Sequence, residues 1–306
     1  MNEYEIYRKS LGNIPDFMNK YLELDIMKRL KGISLLCGMD YASKAVYDFP
    51  YYISRYDHSV NVALITWKLT HDKTECIAAL FHDISTPVFS HVIDYFNNDL
   101  ERQESTEELT GDILRESLEF NKCLEEDNID IEDVIDFKKF SIVDIDRPGV
   151  CADRIDGTLC SAINWIKSTN GKVCASIIDD LIVSRNENGI REIAFRSADK
   201  ATLFTKLNDE INEATHTNND NYMMNLLSDI VRISIEKGIT DYKSLFYITE
   251  RELIECIEDN LDLSEELRKK WNMFKSIREI PVIEMPVIKN KIINPLVVDK
   301  RLKKML

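Results

Sequence analysis

The sequence predicts a mainly α fold with a small β hairpin and short C-terminal strands. Three observations lead there. Only 9 glycines and 7 prolines occur in 306 residues, too few breaks for a turn-rich all-β chain. Apolar residues recur at three- and four-residue spacing through most of the length. The stretch 180–195 instead places two apolar runs on either side of Asn186-Glu187-Asn188-Gly189, the composition of a hairpin turn.

Taken in order, the first element runs at helical spacing from Glu3 to about Lys44, with Leu22, Ile26, Leu30, Ile33 and Leu36 as one stripe. Asp48-Phe49-Pro50 breaks that pattern. His58 to Leu69 predicts a helix with His58, Val62, Ile65 and Leu69 on one face. Thr74 to Asp83 predicts the next, capped by Thr74 or Asp72. Ser85-Thr86-Pro87 reads as a helix restart, a hydroxyl cap followed by proline in the first turn, and carries Val88, His91, Val92 and Tyr95.

The acidic stretch 97–141 predicts short helices that flank a site rather than fill a core. A central helix is expected from Gly149 to Ile166 and a break from Gly171 to Ala175. Further helices are expected over 200–215, 222–237, from Thr249 onward and over 267–277. Pro281, Pro286 and Pro295 among valines and isoleucines suggest one or two short strands. Without repeats or a clear linker, residues 1–306 read as one domain: a core over about 20–170 and a C-terminal lobe over about 171–306.

Composition narrows the function. Apolar content of 44% and charged content of 30% suit a soluble globular chain. No apolar run approaches the roughly 20 residues that span a bilayer, and the N-terminus lacks a secretory signal, so no membrane association and a cytoplasmic location are expected. Seven scattered cysteines without a CxxC pair read as reduced core thiols. A net charge of −15 argues against stable nucleic-acid binding, while a local field still admits an anionic small substrate. Lys289, Lys291, Lys300, Arg301, Lys303 and Lys304 form a basic tail, read as solvated or as a contact with an acidic neighbouring subunit. The second alternative admits a homo-oligomer.

Four separated residues suggest one metal site: His58, the pair His82-Asp83, and Asp153. Histidine and carboxylate are ligands a divalent transition metal accepts. Taken singly, His58 could be a satisfied core histidine, His82 a helix C-terminal charge, and Asp153 a partner of Arg154 or Arg147. Three separate explanations leave the coincidence unexplained. His71 and His216 fall at a helix end and in a polar loop, and neither is assigned to chemistry.

The ordered pattern H…HD…D resembles the HD superfamily of metal-dependent phosphohydrolases, most closely the branch of deoxynucleoside triphosphate triphosphohydrolases. An R-x-x-H-S segment matches residues 55–59. An H-D-[IL]-[GS]-x-x-[PV]-F-S-H segment matches 82–91, and a D-R-x-D segment matches 153–156. The hairpin and following helix at 181–211 and the stretch 291–297 also look like that branch.

The resemblance implies an HD-domain helical core in which His58, His82, Asp83 and Asp153 bind one divalent ion: Mn, Fe, Ni, Co, Mg or Zn. It implies Arg55 and Arg154 as phosphate contacts, since guanidinium matches phosphate oxygens bidentately. His91, oriented by Asp94 three residues on, becomes a phosphate-binding or proton-handling histidine, unless the two form a purely structural pair. Glu104 becomes a candidate acid or base. The expected function is hydrolysis of a phosphate ester or anhydride of a nucleotide, including a dNTP, or of another small phosphorylated substrate. The alternative is a nucleotide-binding regulatory protein with weak or no turnover. Three positions depart from the branch: Thr86 and Gln103 stand where histidines are usual, and Gly157 where an aromatic is usual. Threonine and glutamine cannot titrate near neutrality.

Overall fold

Local capping signals set the helices that carry the site. In the computed structural model, which describes residues 1–103, 105–298 and 300–302, the helix Arg55–Thr70 starts at Ser54. The Ser54 hydroxyl accepts the Asp57 N–H, and the Asp57 carboxylate accepts the Ser54 N–H at 3.0 Å. This reciprocal box satisfies two orphan donors. The helix Lys73–Phe81 is capped by Asp72, whose carboxylate accepts the Glu75 N–H at 2.9 Å. Both helices pack together, and Ala152–Ser161 packs on the first.

Val60, Val62, Ala63, Leu64 and Ile65 are all buried, as are residues 76–81. These helices are enclosed on nearly every side, which is why no clean amphipathic stripe marks them. The molecule is 57% helix and 5% strand, so the mainly α expectation holds.

Several boundaries differ from expectation. Residues 3–44 do not form one helical run. A helix Glu3–Ser10 gives way to short turns, Asn19–Leu22 and Asp25–Arg29, and then to 3-10 turns. Gly38 interrupts at φ 73°, where an added Cβ would lie 2.3 Å from the Phe89 ring. The expected restart at Pro87 is absent. Phe89 and Ser90 take φ of 64° and 48°, and helix resumes only at Val92–Asn97.

Gly171 does not break the chain but begins the helix Gly171–Ile178, with the Asn170 side chain accepting the Val173 N–H at 3.1 Å. A Cβ at Gly171 would lie 2.1 Å from the Glu3 carbonyl oxygen, so glycine there permits the close approach of helix Glu3–Ser10. The acidic stretch 97–141 also fills core as well as flanking the site: Ile113, Leu114, Phe120, Leu124 and Val134 are buried. Phe120 packs on Phe81 with ring centroids 4.6 Å apart.

The hairpin forms as read. Strands β1 (Leu181–Arg185) and β2 (Arg191–Phe195) pair antiparallel, Leu181 opposite Phe195. Strand β3 (Leu296–Val297) adds parallel to β2, and β4 (Lys300–Arg301) antiparallel to β3. Arg301 is therefore not a solvated tail residue. It is 7% exposed and bonds both Glu192 carboxylate oxygens, at 2.6 and 2.9 Å. Lys303 and Lys304 lie outside the described residues.

Two hydrophobic cores result. One joins the site helices, the N-terminal turns and the sheet, including Ile293, Val297 and Leu302. The other joins Met39, Tyr47, Val88 and Phe89 to the helices Asn218–Glu236, Glu250–Asp259 and Glu265–Ser276. The helix Ala198–Thr215, which follows β2, packs Ala201, Phe204 and Leu207 into the first. No helix among the described residues is long and apolar enough to cross a membrane.

Candidate metal centre

Three helix ends bring the predicted ligands together. His58 lies one turn into Arg55–Thr70, His82 closes Lys73–Phe81 with Asp83 following, and Asp153 occupies the first turn of Ala152–Ser161. His58 Nε2 is 3.0 Å from Asp153 Oδ1 and 3.7 Å from Asp83 Oδ2. His82 Nε2 is 3.7 Å from Asp83 Oδ2 and 3.8 Å from Asp153 Oδ1. Ligand atoms of His58, His82 and Asp83 all lie within 4.8 Å of one another.

Each imidazole is oriented from behind. His82 Nδ1 lies 2.8 Å from the Ala79 carbonyl, an acceptor that fixes the proton on Nδ1 and turns the Nε2 lone pair inward. That Nε2 is buried and has no hydrogen-bond partner among the described residues. Behind His58, Nδ1 lies 2.7 Å from Asp156 Oδ2, and the Tyr7 hydroxyl donates to Asp156 Oδ1 at 2.5 Å. Carboxylate or carbonyl support of this kind is what orients metal-binding histidines.

Electrostatics describe a cage short of a cation. Burial works against a charged His58 ring, yet Asp153 and Asp156 beside it raise its pKa to about 10. For His82, burial again opposes charge while Asp83 raises the pKa. Burial favours the neutral Asp153 carboxyl, but contact with His58 and His82 holds its pKa well below the usual range. The neighbouring carboxylates thus draw positive charge towards both imidazoles, a charge that a divalent ion would supply directly. Two imidazole nitrogens with carboxylate oxygen suit a divalent transition ion or zinc, so the residues fit the group.

Around the cage lies a cavity of about 330 Å³. Arg55, 7% exposed, donates from Nη1 to Asp83 Oδ2 at 2.8 Å and from Nε to Ser90 Oγ at 3.2 Å. The Thr86 hydroxyl donates to Asp83 Oδ1 at 3.1 Å. Arg154 lines the cavity but donates to the Gly149 carbonyl at 3.0 Å and to Asp144 at 3.3 Å, not to Asp153. His91 Nδ1 meets Asp94 Oδ2 at 2.8 Å, with Asp94 fully buried. Gln103 and Gly157 line the cavity, whereas Glu104 lies outside the described residues.

Sequence reasoning missed Tyr7, Arg147, Lys291 and Asp220, the last three of which line this cavity. Asp144, Cys151 and Asp153 form a second cluster within 4.8 Å. Burial pushes the Cys151 thiol up to about 12 and Arg154 already pairs with Asp144, so this cluster suits a cation poorly.

Comparison with known proteins agrees with this geometry. The HD domain family model matches residues 55–159, the span that holds all four predicted ligands. The uncharacterized protein YdhJ of Bacillus subtilis (strain 168) is 34% identical over 109 residues, 35% of this chain and 33% of that one. The chain thus spans about a third of the length of this curated relative. A hypothetical protein from Aquifex aeolicus shares the fold: TM-score 0.58 and 17% identity, covering 85% of this chain and 71% of that one. The match to the HD domain model is thus confined to about a third of the chain, the part that holds the cage.

Proposed function

We propose that this protein is a metal-dependent phosphohydrolase that cleaves a phosphate ester or anhydride of a nucleotide, dNTPs included. The observation that carries this reading is the buried His82 Nε2, without a hydrogen-bond partner among the described residues and facing two carboxylates, with Arg55 bonded to one of them. His58, His82, Asp83 and Asp153 would hold one divalent ion, Mn, Fe, Ni, Co, Mg or Zn. Bound there, the ion would polarise a phosphate oxygen and bring a water towards neutral acidity. Residues 1–306 are taken to work as one HD-type unit.

The chain's own groups do the rest. Arg55 holds Asp83 with one N–H and keeps further donors for phosphate oxygens. Arg154, anchored on Gly149 and Asp144, offers a second cation at the cavity wall. His91, oriented through Nδ1 by Asp94, is set to hold or move a proton at Nε2. Glu104 is assigned the role of acid or base assisting the attacking water on its position in the sequence motif alone.

A second reading is a nucleotide-binding regulator with little turnover. It draws support from Thr86, whose hydroxyl bonds Asp83 and cannot titrate near neutrality. Protein loaded with each of the six metals and given nucleoside mono-, di- and triphosphates separates the two. Phosphate, pyrophosphate or triphosphate released by wild type and lost in Asp83→Ala supports the enzyme. Tight binding without product under every metal supports the regulator.

A further inference from the structure

The cavity has a second polar end, away from the four ligands. Asp220 stands in the first turn of Asn218–Glu236, and its carboxylate accepts the Tyr47 hydroxyl at 2.7 Å. Tyr47 in turn stacks on Phe49, centroids 5.4 Å apart at 30°. Asp220 is partly exposed through the cavity it lines and forms no ion pair among the described residues. Trp165 lines the same space.

Lys291 enters this cavity from the extended stretch before β3. Its backbone is fastened on both sides: N–H to Asn212 Oδ1 at 2.7 Å, and carbonyl to Asn208 at 2.9 Å and Arg147 at 2.6 Å. Its ammonium also lacks an ion pair among the described residues. Burial and Arg147 push its pKa down while Asp220 pulls it back up. Burial in turn raises the Asp220 carboxyl to about 6, with the Tyr47 hydrogen bond and Lys291 opposing. Both side chains line the one cavity, and no ion pair joins them among the described residues.

A stable fold gains little from leaving two such charges half-desolvated and unpaired. Each instead has room for a ligand group. Arg55, Arg154, Arg147 and Lys291 form a cationic wall suited to phosphate oxygens. Asp220, an acceptor beside the aromatic rings of Tyr47, Phe49 and Trp165, suits a flat heterocycle that donates N–H.

Building on the nucleotide reading above, we propose that Asp220, held by Tyr47, is the specificity residue that reads an exocyclic amino group on the substrate's base. The bland alternative is an acid placed only to stabilise a helix N-terminus. That role predicts no change in base preference when Asp220 is replaced.

The test uses full-length, Mn²⁺-loaded protein and three pairs of deoxynucleoside triphosphates that differ by one amino group. The pairs are adenine against unsubstituted purine, cytosine against pyrimidin-2-one, and guanine against hypoxanthine. Competition for turnover, or calorimetry where no product forms, should show at least one amino member favoured about tenfold or more, since a site built around a hydrogen bond rejects the analogue lacking it. Asp220→Leu should abolish that preference. Tyr47→Phe, which keeps the carboxylate but frees it, should reduce it several-fold and serves if the first variant fails to fold.

Equal affinities within all three pairs, no binding of any of the six, or a preference surviving Asp220→Leu would each overturn the proposal. Wild-type hydrolysis of bis(p-nitrophenyl) phosphate, which has no N–H donor, tests the phosphohydrolase reading separately. Turnover of that ester without amino preference removes the Asp220 role alone. Amino preference without metal-dependent turnover removes the enzyme reading alone.

Discussion

Tyr7 and Asp156 lie 149 positions apart, yet their side chains meet in a 2.5 Å hydrogen bond directly behind His58. Both are fully buried. The phenol steadies one carboxylate oxygen while the other holds His58 Nδ1 at 2.7 Å, so the N-terminal helix Glu3–Ser10 orients a candidate ligand through Asp156. Asp156→Asn should weaken metal binding about 10- to 100-fold, the usual cost of losing such support. Tyr7→Phe should weaken it less. Titration against a competing chelator measures both, and an affinity equal to wild type for Asp156→Asn would refute the orienting role.

Arg55 is expected to serve the phosphate as well as Asp83. Its fork reaches Asp83 and Ser90 simultaneously, at 2.8 and 3.2 Å, a geometry that lysine cannot reproduce. Arg55→Lys should lower kcat/KM by about 10- to 100-fold at saturating metal. A residue that merely held Asp83 would shift only the metal concentration required, leaving the rate at saturation unchanged.

The metal-free protein should lose stability as pH rises through the His58 titration. The folded pKa, about 10, stands above the ordinary 6.5 because Asp153 and Asp156 outweigh burial. A raised histidine pKa adds stability that is complete below about pH 6.5 and gone above about pH 10. Thermal melts in chelator should therefore fall across that window, and a divalent ion, which binds the neutral imidazole, should restore them most at its upper end. Melting temperatures flat across the window in chelator would contradict the account.

Glu250 makes an independent prediction away from the cage. Burial raises its carboxyl to about 8; it accepts the Ser34 N–H at 3.0 Å, and its other oxygen has no partner among the described residues. Folding therefore favours the protonated acid, and its contribution fades as pH climbs from about 4.5 to about 8. Glu250→Gln escapes that loss and should gain about 1–3 kcal/mol over wild type above pH 8. Urea unfolding at pH 5 and pH 9 checks the sign: the advantage must grow with pH.

The two histidine ligands were legible because histidine is rare here, and all four candidate ligands because each sits in distinctive wording. Only five histidines occur in the chain, and His58 and His82 are two of them. The hairpin was legible because Asn186 to Gly189 interrupts two apolar runs. What escaped depends on tertiary contact. The positive φ of Phe89 and Ser90 turned an expected helix restart into a loop that brings the Ser90 hydroxyl to Arg55. Gly171 looked like a break and is instead a contact between helices. Arg301 and Lys291 looked like solvated charges, but one is sealed against Glu192 and the other reaches the cavity. No local pattern announces such placements, because partners far away in the sequence decide them.

The central claim is that His58, His82, Asp83 and Asp153 form one divalent metal site. Equilibrium dialysis against Mn²⁺, Fe²⁺, Ni²⁺, Co²⁺, Mg²⁺ and Zn²⁺, followed by elemental analysis of wild type and the His82→Ala/Asp83→Ala double variant, tests it most directly. The account predicts about one ion per wild-type chain for at least one metal, with that ion absent from a folded double variant. Equal metal content in the two proteins would contradict it.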